Sequence, residues 1–353
     1  MRRFLIVALL TSGAGRVAAD PAPSAPPAPP PERVLALSAQ LFARADHTRA
    51  GGQSGFGFAI DRAELGAAPT WRNTEAELRL EALRATAADD EPFAVGLKRA
   101  WGGAHVPLGC DCFRLAARLG LVADPWIESI EAAYPLRAIA ATSAERLGWI
   151  DPSDLGAAAR FVWTDYVDLH VAVTSGEGHR HSDRNGEQDV AAALTLRAAV
   201  FPLLGGDASV RLHGFVRTGT LGPTGARNHR LCTAVTLASD RLSLGAEVVH
   251  AFGYADHADR TGVAVAGWAS AAVTSWLGPL ARIDRVAAGA DRDDVGLAIT
   301  GGVWARLAGG VTAYAIAERV TYGVDAVPLG AGPAENGWRA SAVIAVDAGA
   351  DLR

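Results

Sequence analysis

Few side chains in this chain are spaced for bond-making chemistry. His170 and His213 are bases by type, and a Ser/His/acid or Asn/His/Ser site would need them inward on adjacent strands beside a nucleophile. His170 shares a parity with Asp168, no nucleophile is evident, and no Gly-x-Ser-x-Gly run sits between a strand and a helix. His179 and His181, two apart with Asp183 near, could hold a metal in a loop. We read them instead, like Asp256, His257, Asp259, Arg260 and the run Asp291 to Asp294, as polar groups that keep exposed loops solvated. Cys110 and Cys112 flank one Asp, too close for an unstrained bridge in extended chain, and with Cys232 they are read as incidental thiols, a strained local disulfide in an oxidising compartment being the alternative. No cofactor or metal set is implied, and a barrel enzyme is the lesser alternative. What the chain does carry is Arg and Glu at every second position, and the chemistry open to such an array is electrostatic: a charged wall that selects ions.

An array of that period needs strands to hold it. From Thr74 to Arg84, Ala76, Leu78, Leu80 and Ala82 fall on one face, and Glu75, Glu77, Arg79 and Glu81 on the other. A helix would scatter those charges around its circumference, whereas a strand separates them. Phe113 to Val122 does the same, with Arg114, Arg118 and Gly120 opposite Phe113, Leu115, Ala117, Leu119 and Leu121. In Val210 to Arg217, Arg211, His213 and Arg217 oppose Val210, Leu212 and Val216. Continuing in this way predicts about 16 strands of roughly 9–12 residues, the length that crosses an outer membrane at a tilt. They lie near 34–45, 56–67, 73–86, 93–101, 113–122, 155–162, 166–174, 190–201, 209–218, 231–238, 242–252, 262–274, 279–286, 295–307, 311–320 and 338–346.

The connections alternate in length. Those at 46–55, 123–154, 175–189, 219–230, 253–261, 287–294 and 321–337 are long and polar. Those at 68–72, 163–165, 202–208, 239–241 and 308–310 are short, while 102–112 is longer than the rule wants. A soluble sandwich has no reason to place its long loops at every second connection; an up-and-down barrel with external loops and periplasmic turns does. Trp71, Trp163, Trp276 and Trp338 fall at predicted strand ends, where an aromatic girdle belongs. The fold class is therefore all-β, a transmembrane antiparallel up-and-down β-barrel.

The N-terminus and the bulk charge agree with export. Arg2-Arg3, the apolar stretch Phe4 to Leu10 and the small residues before Asp20 predict a signal peptide at 1–19. A Pro-rich periplasmic spacer follows at 20–33, and the barrel is assigned 34–353. The formal charge of -5 becomes -8 once Arg2, Arg3 and Arg16 leave with the signal, and an acidic chain without a basic block argues against nucleic acid. Nearly all cations are Arg; Lys98 is the only Lys.

The longest interruption, Gly120 to Gly156, is built unlike an ordinary loop. Asp124-Pro125 can open a helical turn, Trp126, Ile127, Ile130 and Tyr134 recur at roughly helical spacing, and Pro135 stops the run. With the Arg62 to Gly66 run Arg-Ala-Glu-Leu-Gly, Pro125-Trp126 followed by Glu128, Tyr134, Arg137, and Ser153-Asp154-Leu155-Gly156, this region resembles the phosphate-selective porin O and P family. The resemblance implies a sixteen-stranded outer-membrane barrel, usually a homotrimer, with its third external loop folded inward. It departs from that family in lacking a cluster of Lys, and the last predicted strand is followed by DAGADLR without a terminal aromatic.

Charged strand faces belong in a wet lumen, because facing lipid they would cost several kcal/mol near the midplane. That expectation puts Arg62, Arg79, Arg114, Arg118, Arg160, Arg197, Arg211, Arg217 and Arg306 inward with Glu64, Glu75, Glu77, Glu81 and Glu247. The pore constriction is expected from Arg62, Arg79, Arg114, Arg118 and Arg160 with Glu128, Glu131 and Arg137 of the inward loop. The expected function is passive diffusion of small hydrophilic solutes or inorganic anions through the outer membrane of a Gram-negative bacterium, with outer-membrane lipid around the barrel. A non-conducting adhesive or structural barrel is the alternative.

Overall fold

The computed structural model describes residues 33–84, 93–107, 112–181, 183–223, 225–254, 257–288, 295–323 and 335–352. The signal peptide and all but the last residue of the spacer, Cys110, Asp256 and the Asp291 to Asp294 run lie outside the described residues. In chain order the elements are β1 (Arg33–Ala50), β2 (Gln53–Trp71), β3 (Thr74–Arg84), β4 (Phe93–Pro107), β5 (Phe113–Ala123), α1 (Pro125–Glu131), α2 (Ser143–Arg146), β6 (Ser153–Trp163), β7 (Val167–Thr174), β8 (Asp189–Leu203) and β9 (Gly206–Thr218). There follow β10 (Thr220–Leu221), β11 (Ala226–Arg227), β12 (His229–Ala238), β13 (Leu242–Tyr254), β14 (His257–Ala271), β15 (Leu277–Ala288), β16 (Val295–Ala308), β17 (Val311–Tyr322) and β18 (Gly337–Leu352). Apart from the short β10–β11 hairpin, each strand pairs antiparallel with its sequence neighbours, and β18 pairs with β1 to close the barrel. Closure removes the sheet edge, so the backbone of the wall satisfies itself.

The predicted alternation holds along the wall. Glu75, Glu77, Arg79 and Glu81 of β3, and Arg114 and Arg118 of β5, take the lumen face, while Leu78, Leu80 and Leu119 are exposed outside. The outward face is apolar over its whole circumference: Phe58 is 78%, Leu119 71% and Leu65 63% exposed. That much bare hydrocarbon is a surface matched to lipid rather than water. A register shift between β3 and β4 gives β4 an extra residue, so that both Lys98 and Arg99 reach carboxylates of the lumen.

Strand ends differ from the sequence expectation in two ways. The connection predicted as a long loop at 46–55 is a two-residue turn, because β1 and β2 run on to Gly51 and Gly52, whose φ values of 56° and 82° suit a tight hairpin. Likewise β13 and β14 extend to Tyr254 and His257, and β18 extends to Leu352 opposite Leu35. The other long connections lie at the same end of the barrel, and 124–152 is the third connection at that end, after β1–β2 and β3–β4. Trp71 and Trp163 end β2 and β6, and Trp276 precedes β15, all at the short-turn end, where Phe113 stacks on Phe161 and Trp163. Trp338 stands at the long-loop end. Cys112 is disulfide-bonded rather than an incidental thiol, and Cys232 is a buried free thiol.

The lipid-facing assignment makes a mutational prediction. Leu119→Arg, near the middle of β5, should lower the unfolding free energy in bilayers by about 2–4 kcal/mol, whereas the same change at an outward position near a strand end should cost about 0–1 kcal/mol. Reversible denaturant titration into lipid vesicles reads the difference; equal costs at both depths would overturn the lipid assignment.

Candidate functional site

Residues 124–152 fold into the barrel, and their structure follows from their first residue. The Asp124 carboxylate accepts hydrogen bonds from the backbone N–H groups of Trp126 (2.8 Å) and Ile127 (3.2 Å), and Pro125 occupies the first helical position. The α1 turn so started packs on β7, β8 and β9, with Trp126, Ile127 and Ile130 fully buried. Trp126 meets Phe215, Tyr134 meets Trp268 edge-on at 5.1 Å, and Trp149 meets Tyr254. One half of the lumen is therefore filled by an apolar core shared between loop and wall.

Polar bolts reinforce that face. The Ser143 N–H donates to Glu247 (2.8 Å), and Arg146 reaches Asp284 (3.2 Å) and Glu318 (2.9 Å). Arg230 donates to the Trp149 carbonyl (2.7 Å), and Arg282 to Tyr134 and the Ala141 carbonyl. At the hinge, Arg217 sits among Asp124, Asp154 and Asp189 at 3.3–3.8 Å. Burial pushes Asp124 up to about 6, against the pull of Arg217 and the two capping N–H groups.

The opposite face of the loop is charged and spans the remaining lumen to β1–β6. Glu128 lies between Arg118 of β5 (3.2 Å) and Arg160 of β6 (3.0 Å), with His170 of β7 at 3.5 Å. Arg118 also pairs with Glu75 (3.2 Å) and lies over the Trp101 ring at 4.4 Å, while Arg160 is braced by Asp168 (2.9 Å). A second cluster joins Glu131 to Arg137, Arg137 to Glu145 (2.6 Å), and Glu145 to Arg62 of β2 (3.4 Å). Arg62 and Lys98 then share Glu64, at 3.3 and 2.6 Å, and Arg79 bridges Glu64 and Glu77.

Seven of the eight expected residues thus belong to one band of ion pairs. The eighth, Arg114, is four residues below Arg118, near the short-turn end of β5 and in register with Val162. Outside the expected set, the band also takes in Glu64, Glu75, Lys98, Arg99, Glu145, Asp168 and His170. Strand parity already turned Glu64 and Glu75 inward, and Glu145 shared the loop with Arg137; Lys98 needed the register shift. His213 is held between Thr195 (3.0 Å) and Thr236 (3.1 Å).

The loop after β7 overturns one expectation. His179 is not a solvating residue: its side chain is buried and its Nε2 lies 2.7 Å from Glu81 of β3, across the mouth, with Arg180 adding to the same carboxylate. Glu177, equally buried, is clasped by Arg184 (2.6 Å) and by the Gly222 N–H (3.0 Å) of the next long loop.

No family model matches the chain, and no curated protein matches it in sequence. Solved structures do. OmpF of Salmonella typhi in complex with daunomycin superposes with a TM-score of 0.65 at 11% identity, covering 89% of this chain and 97% of that one. An anion-selective porin from Comamonas acidovorans gives 0.62 at 13% identity, covering 90% and 100%. In-vitro folded OmpT of Vibrio cholerae, in a trimer form, gives 0.58 at 11%, covering 90% and 100%. At these identities the likeness is one of fold. The chain has the porin fold.

Burial would raise the Glu128 carboxyl, but Arg118, His170 and Arg160 outweigh it and hold it at about 2. A carboxylate held that low contributes fully above its unfolded value of about 4.3, and its contribution is lost as pH falls through about 2. The Glu128 charge should therefore stay constant from neutral pH down to about 4 and be lost only as pH falls through about 2. Glu128→Gln should displace the reversal potential toward anions at pH 7, and the difference between variant and wild type should persist as pH is lowered to about 4.

Proposed function

We propose that the protein is a general diffusion porin of the outer membrane of a Gram-negative bacterium, passing small hydrophilic solutes with a weak preference for inorganic anions. The observation that carries this reading is the band of ion pairs between the charged edge of the third loop and β1–β6, inside a barrel whose outer face is apolar. Such a band narrows an aqueous route without a chemical step, and its charges set the local potential where passage is tightest. Within the band, Glu64, Glu75, Glu77, Glu128, Glu131 and Glu145 nearly balance the cations. Below it, toward the short turns, Arg197 of β8 and Arg211 of β9 stand in register and give the wall a local basic bias, Arg197 being partly answered by Asp165 at 3.3 Å. The preference for anions rests on that bias.

Phosphate as the particular solute gains little from these residues. Its selectivity in the resembling family depends on clustered Lys and Arg, and here Lys98 is committed to Glu64, with Glu81 at 3.9 Å. A homotrimer is proposed on the resemblance and on the trimer form of the Vibrio cholerae neighbour.

A specific observation favours the second reading, a non-conducting barrel. The His179–Glu81 contact and the paired third loop both cross the lumen. Single-channel recording in planar bilayers separates the two. A porin should conduct in steps and give a reversal potential displaced toward the anion in a salt gradient. A silent barrel would overturn the proposal, and clear cation selectivity would overturn the anion preference. Deleting 126–150 should raise the step conductance severalfold if the loop limits the pore; an unchanged step would remove the loop from that role.

A further inference from the structure

The outward face of β17, β18 and β1 carries a row that the channel does not use. Register places Arg49 of β1 opposite Trp338 of β18, and Trp338 opposite Arg319 of β17, at the long-loop end of the wall. All three point outward, since Arg339 and Glu318 beside them are buried in the lumen. Arg49 and Arg319 are exposed and stand about 10 Å apart, two strand spacings. Neither has an ion pair among the described residues, and the outward positions of β1, β17 and β18 include no carboxylate. Glu335 stands above them, against the Gly51 turn. His47, one row down, packs its ring on Trp338 at 5.2 Å.

Beneath this basic row the wall is hollowed. The next register row runs Phe56, His47, Ala340, Ala317, Gly301, and the one after it Phe58, Ala45, Ala342, Ala315, Val303. Small residues between the Phe pair and Val303 leave a groove of about 560 Å³ open to the outside. Apolar walls below, two arginines and a tryptophan above: this is the order in which an anionic lipid presents its hydrocarbon and its headgroup.

We propose that this face binds one phosphate-bearing lipid of the outer leaflet, its phosphate held by Arg49 and Arg319 beside Trp338 and an acyl chain lying in the alanine groove. Two guanidinium forks reaching one phosphate from the two strands that flank β18 supply charge-assisted, bidentate hydrogen bonds. The groove removes the chain from its fluid neighbours by shape rather than by polarity. Charge speaks for lipid over a second copy seated face to face: in such a contact the described outward positions of these strands offer the copy two arginines and nothing to answer them.

The proposal rests on the membrane placement argued above, and its test is independent of conductance. The full-length barrel in detergent is incubated with bisphosphorylated lipid A, and native mass spectrometry counts the lipid retained. Wild type should keep one lipid A about tenfold more strongly than phosphatidylcholine. Arg49→Ala/Arg319→Ala and, separately, Ala340→Phe should each lose that preference, with folding checked by heat-modifiable gel mobility. Equal retention of the two lipids, retention unchanged in the Arg variant, or release of the lipid by millimolar inorganic phosphate would overturn the site. So would efficient cross-linking between copies through Ala342→Cys, which would show the groove covered by another chain. A conducting barrel that retains no lipid A sinks this inference alone; a silent barrel that retains it sinks only the channel.

Discussion

A closed barrel solves the hydrogen bonding of its own backbone and creates a second problem, a lumen too wide to be packed by wall side chains alone. The packing of residues 124–152 into that lumen is the interaction on which the rest of the interior depends. It works because the segment has two chemically different faces. Trp126, Ile127, Ile130, Tyr134 and Trp149 join the apolar inner wall from β8 to β17, and Glu128, Glu131, Arg137 and Glu145 are left facing the charged wall of β1–β6. Without the apolar half, the segment would be a mobile external loop; without the charged half, it would be a plug.

Charge pairing on the second face has a cost and a use. Each ion taken from bulk water into a narrow lumen loses hydration, and only dense pairing offsets it. The lumen answers with networks rather than isolated pairs: Glu128 takes two arginines, Glu64 takes Arg62, Arg79 and Lys98, and Arg217 takes three aspartates. Such networks fix the positions of the charges that a passing ion meets, which is what a preorganised electrostatic filter requires. Under the proposed function the same residues serve stability and selectivity, and the two roles could not be varied separately at Arg118 or Arg160.

The two faces of the wall obey opposite rules in one repeating pattern. Along β17, Ile316, Glu318 and Val320 face the lumen while Ala315, Ala317 and Arg319 face out. Period two lets a strand serve a charged interior and an apolar exterior at once, and it also makes the outward exceptions conspicuous. Arg49 and Arg319 are such exceptions. They lie at the rim, where a guanidinium can meet headgroups instead of hydrocarbon.

Alternation in β3, β5 and β9 was enough to give strands, face and barrel, because side-chain direction in a strand is fixed by backbone geometry alone. The Asp124-Pro125 start of α1 was legible for the same local reason, a carboxylate two and three residues before unpaired N–H groups. The long third connection could be counted from strand order, and Glu128, Glu131 and Arg137 could be named within it. Partners could not. That Glu128 meets Arg118 and Arg160, that Arg114 falls below them, that Lys98 enters through a register shift, and that His179 crosses to Glu81 all depend on how sixteen strands are staggered and how far two loops reach. Those distances are set by closure of the whole barrel, and local sequence carries no measure of them.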